Sequence, residues 1–236
     1  MQESRPEMSK KQAFPSYIDS RSIVHRKAFF MDKYFSGFPG FRELLFSPDT
    51  PESLFSRLPA LDTPRLSLRK MQMRDAADIY AWASDPLVSR YVLWDSHKSI
   101  ADSRNYIRYI RRLYRQGLPS SWAMVLKETG GVIGTVGFMW YSSVNQSAEV
   151  GYSMSRSYWN RGLMTEALSA VLAFGFDRLG LHRVEAQFDV RNPASGKVME
   201  KCGMRCEGVL RDRIRNKGEF IDVALYSMLP QDRKSL

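Results

Sequence analysis

From Ala148 to Leu168 the chain runs Ala-Glu-Val-Gly-Tyr-Ser-Met-Ser-Arg-Ser-Tyr-Trp-Asn-Arg-Gly-Leu-Met-Thr-Glu-Ala-Leu. It reads as a strand, a short loop carrying one glycine, and the first turn of a helix. A helix entered in this way offers N–H groups without intrahelical partners and a positive dipole end of roughly half a charge. The chemistry such a segment suits is the capture of an anion, phosphate above all, on the amides of Asn160 through Thr165. Gly162 lets backbone approach closely where a Cβ would obstruct, and Arg161 adds side-chain charge. Two further groups flank the loop. Glu149 is a carboxylate on the strand and reads either as a proton acceptor or as a solvated or salt-bridged side chain. Asn192 and Ser195, in Asn192-Pro-Ala-Ser195, stand where a second strand runs into a helix, a place where both are ordinary capping residues.

The elements that must position these groups begin at about residue 63. Arg65 to Arg69 alternates as a half-buried strand does. Asp75 to Ala83 has helical spacing and stops at Ser84-Asp-Pro86. Ile100 to Gln116 is a strongly basic amphipathic helix. Trp122 to Leu126 and Val132 to Phe138, joined through Gly130-Gly131, form a hairpin. There follow a strand over Glu149–Ser153, a helix over Thr165–Arg178, a strand over His182–Val190 and a helix over Pro193–Lys201. Strands over Val209–Ile214 and Phe220–Met228 complete the set. The fold class is α+β, or α/β by another bookkeeping, with a mixed, largely antiparallel sheet flanked by helices. Before residue 62, punctuation by Pro and Gly limits the chain to short helices and turns. Its many aromatics imply packing on the main domain or on a partner. The expected organisation is an extension over 1–61, a domain over 62–230 and a tail over 231–236.

The 236 residues carry a formal charge of +10, with 44% hydrophobic and 25% charged residues, the composition of a globular chain. No apolar run approaches the ~20 residues of a membrane span, and the start lacks a secretory signal, so a cytoplasmic protein is expected. A basic surface suits an anionic ligand. Lys and Arg are dense only from Arg104 to Arg115, which reads as a solvated basic face; no nucleic-acid motif accompanies it, so nucleic acid is not an expected partner. Cys202 and Cys206, alone, supply too few ligands for a zinc site and read as small buried or half-buried thiols. No metal is expected.

The element order, together with Glu149-Val-Gly-Tyr, Tyr158-Trp-Asn-Arg-Gly-Leu-Met-Thr-Glu-Ala-Leu168, Gly180-Leu-His-Arg-Val-Glu185, Asn192-Pro-Ala-Ser195 and Glu200-Lys-Cys-Gly203 leading to Glu207-Gly-Val-Leu-Arg211, resembles the GNAT superfamily of N-acetyltransferases. The nearest branch is the Rim type, which acetylates ribosomal-protein N-termini. The resemblance implies acetyl-CoA as co-substrate. Its pyrophosphate would lie against Trp159, Asn160, Arg161, Gly162, Leu163, Met164 and Thr165. Its pantetheine arm would pair with the strand edge near Ser153, Met154 and Ser155, and Asn192 would contact CoA. Glu149 would take the amine proton, with Glu185 and Asp189 as alternatives. Glu166 reads as a first-turn structural charge, and His97 and His182 as structural. Trp159 and Met164 depart from the general pyrophosphate signature but leave the backbone amides in place. A tyrosine that protonates the departing thiolate in many relatives falls on Met199, so Ser195 or a water would take that role.

The implied reaction is direct attack of a neutral amine on the thioester. An α-amino group has an ordinary pKa of about 7.7–8.0 against about 10.4 for lysine, so a weakly placed base suits a protein N-terminus better. A small amine such as an amino acid, polyamine or antibiotic is the alternative acceptor. A non-catalytic CoA-binding module is a third reading, and the oligomer expected is a monomer or a homodimer.

Overall fold

Eight strands make one sheet in the order β1-β2-β3-β4-β5-β6-β8-β7. The computed structural model describes residues 50–233; the expectations for residues 1–49 and 234–236 lie outside them. The strands are β1 (Leu61–Asp62), β2 (Leu66–Arg69), β3 (Ser121–Leu126), β4 (Val132–Ser142), β5 (Ser147–Met154), β6 (Arg183–Asp189), β7 (Arg205–Asn216) and β8 (Glu219–Met228). The helices are α1 (Pro51–Arg57), α2 (Ala76–Ala83), α3 (Pro86–Ser89), α4 (Ile100–Arg115), α5 (Leu163–Asp177) and α6 (Pro193–Lys201). Neighbouring strands are antiparallel except β5 and β6, which the crossover helix α5 makes parallel.

The two faces of the sheet are covered differently. On one, Trp122 of β3 and Phe138 of β4 meet Phe174 of α5, with the Trp122 and Phe174 ring centroids 5.4 Å apart. Phe55 of α1 joins them 5.9 Å from Phe138, so Leu54, Phe55 and Leu58, from the last residues of the expected extension, are buried in the same core. On the other face lie α2 and α4. Ile107, Ile110 and Tyr114 recur at helical spacing on the buried side of α4, and a capping box of Ser99 and Asp102 starts the helix.

Local chemistry sets the boundaries. Pro86 does not simply end the helix before it. With Asp85 capping the Leu87 amide at 2.9 Å, it opens the short helix α3. Helix α5 starts at Leu163 rather than Thr165, because Gly162 holds φ +75° and supplies the left-handed residue on which the loop ends. Strand β7 runs well beyond the expected Val209–Ile214, with register shifts that bend it along the sheet's edge. Cys202 is half-buried, but Cys206 on that edge strand is exposed, contrary to the expected buried or half-buried thiol.

Candidate active site

Strands β5 and β6 pair only at Ser147–Glu149 and Arg183–Glu185. Beyond Glu149, β5 continues to Met154 with β4 as its one strand partner, the Met154 carbonyl also accepting from Trp159 Nε1 at 2.9 Å, and β6 continues to Asp189 with β8 as its one strand partner. The sheet therefore splits into a wedge, and each arm leaves one backbone edge without a strand partner. A cleft of about 510 Å³ occupies the split. Its walls are the end of β5, the loop and first turn leading into α5, the first half of α6, and residues 87, 88 and 90–92 after α2.

Of the site residues expected from sequence, Ser153, Met154, Trp159, Asn160, Gly162, Met164, Thr165, Asn192 and Ser195 line this cleft. Asn160 at φ 60° and Gly162 turn the loop so that it enters α5 amide-first. The amides of Asn160 through Thr165 find no acceptor among the described residues, which is the arrangement that holds an anion at a helix N-terminus. Leu163 offers its amide while its side chain is buried in the core. The Ser155 amide is already bonded to the Ile133 carbonyl at 2.8 Å. Arg161 lies outside the cleft lining; its guanidinium sits 5.3 Å from the Tyr158 ring and its carbonyl accepts from Arg65 at 2.9 Å.

Glu149 stands at the apex of the wedge rather than in the cleft lining. Its Oε2 accepts from Trp140 Nε1 at 2.7 Å, and Gln187 Nε2 approaches Oε1 at 3.1 Å. Burial pushes its pKa above the ordinary glutamate value, against the pull of these two donors. A carboxylate so placed is a better proton acceptor than an exposed one. Gly151 follows two residues later on the same face of β5. A Cβ there would meet the Met139 sulfur at 3.0 Å, so the glycine lets Met139 lie across the strand.

On the opposite face the wedge is strapped by Tyr152, whose hydroxyl donates to the Ser195 carbonyl at 2.9 Å. The Ser195 hydroxyl accepts from Asn192 Nδ2 at 3.2 Å. Met199 is buried in the core.

Glu166, Asp189, Glu185 and His97 are engaged. Burial pushes Glu166 up, but Thr63 Oγ1, the Arg65 amide and Arg65 Nε, at 2.6, 2.8 and 2.7 Å, hold it below the ordinary range. Asp189 is likewise raised by burial and held down overall by Arg191. Glu185 pairs with Arg183 at 2.6 Å. His97 bonds Ser103 Oγ at 2.8 Å, and burial pushes its pKa down. His182 is exposed at the start of β6.

A parallel pair that opens beside a helix N-terminus rich in unpartnered amides is a site for an extended ligand with a phosphate end. Residues 65–205 match the family model described as an acetyltransferase (GNAT) domain. The chain belongs to the GNAT acetyltransferase family. It is 36% identical over 172 residues to the N-acetyltransferase p20 of Bacillus licheniformis, spanning 73% of this chain and 97% of that one. To the ribosomal protein uS5 alanine N-acetyltransferase of Escherichia coli it is 26% identical over 186 residues, spanning 73% and 91%. Among solved structures, a GNAT-family acetyltransferase from Bacillus anthracis superimposes with a TM-score of 0.66 at 28% identity, covering 73% of this chain and 99% of that one.

Two parts of the cleft lining are absent from the sequence expectations. Tyr152 shares the strand parity of the buried Val150, and nothing in that alternation announces its hydroxyl's reach to α6. Arg90 and Tyr91 line the cleft from a loop with no periodic pattern.

Proposed function

We propose that this GNAT acetyltransferase acetylates the α-amine of a protein N-terminus. The co-substrate is acetyl-CoA, which supplies the acetyl group as an electrophilic thioester. The unpartnered amides of Asn160 through Thr165 suit its pyrophosphate, and the edge of β5 near Ser153 and Met154, where Trp159 Nε1 takes the Met154 carbonyl but no strand pairs, suits its amide-bearing arm. In this reading the amine nitrogen bonds the acetyl carbon as the carbon–sulfur bond breaks. Glu149 takes the amine proton, directly or through a water, and the Ser195 hydroxyl gives one to the departing thiolate.

The observation that carries the reading is Glu149 itself, a carboxylate at the apex of the wedge with its pKa raised by burial. It is matched to an amine that is already partly neutral near pH 7. Deprotonating a lysine at the same pH would demand about 3.4 kcal/mol more. Two further observations agree. Met139, 50% exposed beside Gly151, reaches solvent at this end of the face, which suits a chain terminus better than an enclosed small molecule. The relative from Escherichia coli is named for an alanine of a ribosomal protein.

The test follows labelled acetyl from acetyl-CoA in a cell extract, separated into protein and small-molecule fractions, with the Glu149→Gln variant alongside. Label at blocked protein N-termini, lowered about 10²- to 10⁴-fold in the variant while CoA affinity is kept, supports the reading. Label confined to small molecules moves the acceptor to a small amine. Transfer unaffected by the variant removes Glu149 from the mechanism.

A further inference from the structure

We propose that the outer face of α4 docks single-stranded RNA through its phosphodiester backbone. The helix carries five arginines, Arg104, Arg108, Arg111, Arg112 and Arg115, and all are exposed. At 3.6 residues per turn they fall within an arc of roughly 100° and along about 16 Å of helix axis. No carboxylate among the described residues pairs with any of them; Arg108 bonds the Asn105 side chain, and Arg112 lies 5.5 Å from the Tyr109 ring. Of the arginines elsewhere, Arg65, Arg69, Arg156, Arg183, Arg191, Arg205 and Arg233 each meet an acid; what sets α4 apart is five on one stripe that do not. The single acid of α4, Asp102, points away from the stripe and holds the amides of Lys98 and Ser99.

Helix energetics alone do not account for the stripe. The negative dipole end at the C-terminus favours Arg112 and Arg115, but offers nothing to Arg104 and Arg108 farther up the helix. The i, i+4 pairs Arg104/Arg108, Arg108/Arg112 and Arg111/Arg115 repel one another. Such an arrangement is relieved by a polyanion of matching spacing. One charge per roughly 4 Å is close to the one phosphate per 3.4 Å of a nucleic-acid strand. Arginine rather than lysine throughout suits bidentate phosphate contact. Tyr109, 39% exposed and paired with Arg112, adds an aromatic–guanidinium platform of the kind on which unpaired bases stack. That favours a single strand over a duplex, and single strands in cells are chiefly RNA. The chain's own N-terminal segment has the wrong sign to be the occupant, with eight Lys and Arg against six Asp and Glu in residues 1–49.

The surface is separate from the cleft but lies on the acceptor side of the sheet. Tyr106 of α4 packs toward Thr135 and Ser121, whose side chains share the face that carries Ser153 and Glu149. The inference does not depend on which amine is acetylated.

The test is fluorescence anisotropy of a labelled 20-nucleotide mixed-sequence RNA against the full chain, with saturating CoA to block the amides at α5, from 50 to 300 mM KCl. Five phosphate contacts give a log–log salt slope of about −3.5. The triple variant Arg104→Gln/Arg108→Gln/Arg111→Gln is expected to flatten that slope by about 2 and to weaken binding at least tenfold at 100 mM KCl. Gln keeps helix propensity, so its thermal midpoint should match the parent. Arg211→Gln/Arg215→Gln on β7, which removes two charges, serves as a control and should change the slope by less than 1. No RNA binding, or a slope the triple variant leaves unchanged, overturns the proposal. So does displacement of the RNA by polyglutamate at equal charge concentration, which would point to an acidic protein instead.

Discussion

Trp140 Nε1 donates to Glu149 Oε2 at 2.7 Å, and a bulge in β4 creates the pairing. Phe138 stands opposite Val150 and Trp140 opposite Glu149; without the extra residue, Met139 would face the carboxylate. The bulge thus does two things at once: it aims an indole donor at the candidate base and lays a thioether over Gly151 beside it.

Replacing Trp140 by Phe tests that pairing. A donor to a carboxylate favours its charged form, so removing it raises a pKa that burial already holds high. The acid limb of kcat/KM against pH is expected to move to higher pH. Activity on the acid limb should fall by up to about tenfold, in line with a hydrogen bond to a charged group, and change little on the plateau above it. A limb that stays in place would mean that Glu149 is not the group titrating in that range.

Glu166 offers the opposite case. It binds the loop between β1 and β2 to the first turn of α5 through Thr63 and Arg65, and Arg65 in turn bonds the Arg161 carbonyl. Glu166→Gln should therefore cost stability, about 1–3 kcal/mol for the bonds lost, while kcat stays within about twofold. Denaturant unfolding beside steady-state kinetics separates the two quantities. A hundredfold fall in kcat with unchanged stability would assign Glu166 to the chemistry instead.

How much of this was legible in the sequence follows from the range of the forces involved. The loop from Trp159 to Thr165 was legible because its work is done by local backbone, and a glycine before a helix announces that geometry. The helix over Pro193–Lys201 has the expected bounds because Pro at its first position and Gly203 after it are local signals. The pairing of Trp140 with Glu149 was not legible, since a one-residue bulge leaves no trace in composition or period. Nor was the contribution of Arg90 and Tyr91: a non-periodic loop is brought to the cleft by the packing of α2 and α3. The basic run on α4 was visible, but the absence of acidic partners appears only when the neighbouring side chains are in place.

Asp189 carries a pH-dependent share of stability. Its side chain is fully buried and accepts from the Arg191 amide, Nε and Nη2, with the shortest at 2.7 Å. Burial raises its pKa, but the Arg191 bonds outweigh that and the net shift is downward. A depressed carboxylate contributes stability that is fully present above its unfolded value, about 3.9, and is lost as pH falls through the lower folded value. Asp189→Asn should be about 1–3 kcal/mol less stable at pH 7, since Arg191 is half exposed and can rehydrate. The gap in thermal midpoint between the two proteins should close as pH drops below about 4. A gap that persists at pH 3 would show that shape, not charge, is what Asp189 contributes.

Tyr152 and Ser195 face the same cleft and both carry a hydroxyl, so either could protonate a departing thiolate. Their bonding separates them. The Tyr152 hydroxyl is committed as donor to the Ser195 carbonyl, and burial raises its pKa, so the phenol keeps its proton and acts as a strap between β5 and α6. The Ser195 hydroxyl instead accepts from Asn192, which leaves its own proton available toward the cleft it lines. Ser195→Ala is therefore expected to lower kcat about a hundredfold with little change in the KM for acetyl-CoA. Tyr152→Phe should leave kcat within about threefold while raising that KM, because loss of one neutral hydrogen bond, about 1 kcal/mol, loosens the wedge without removing a reacting group. If the kcat loss instead falls on Tyr152→Phe and Ser195→Ala is silent, the strap is the proton donor, and its bond to Ser195 must break before each transfer.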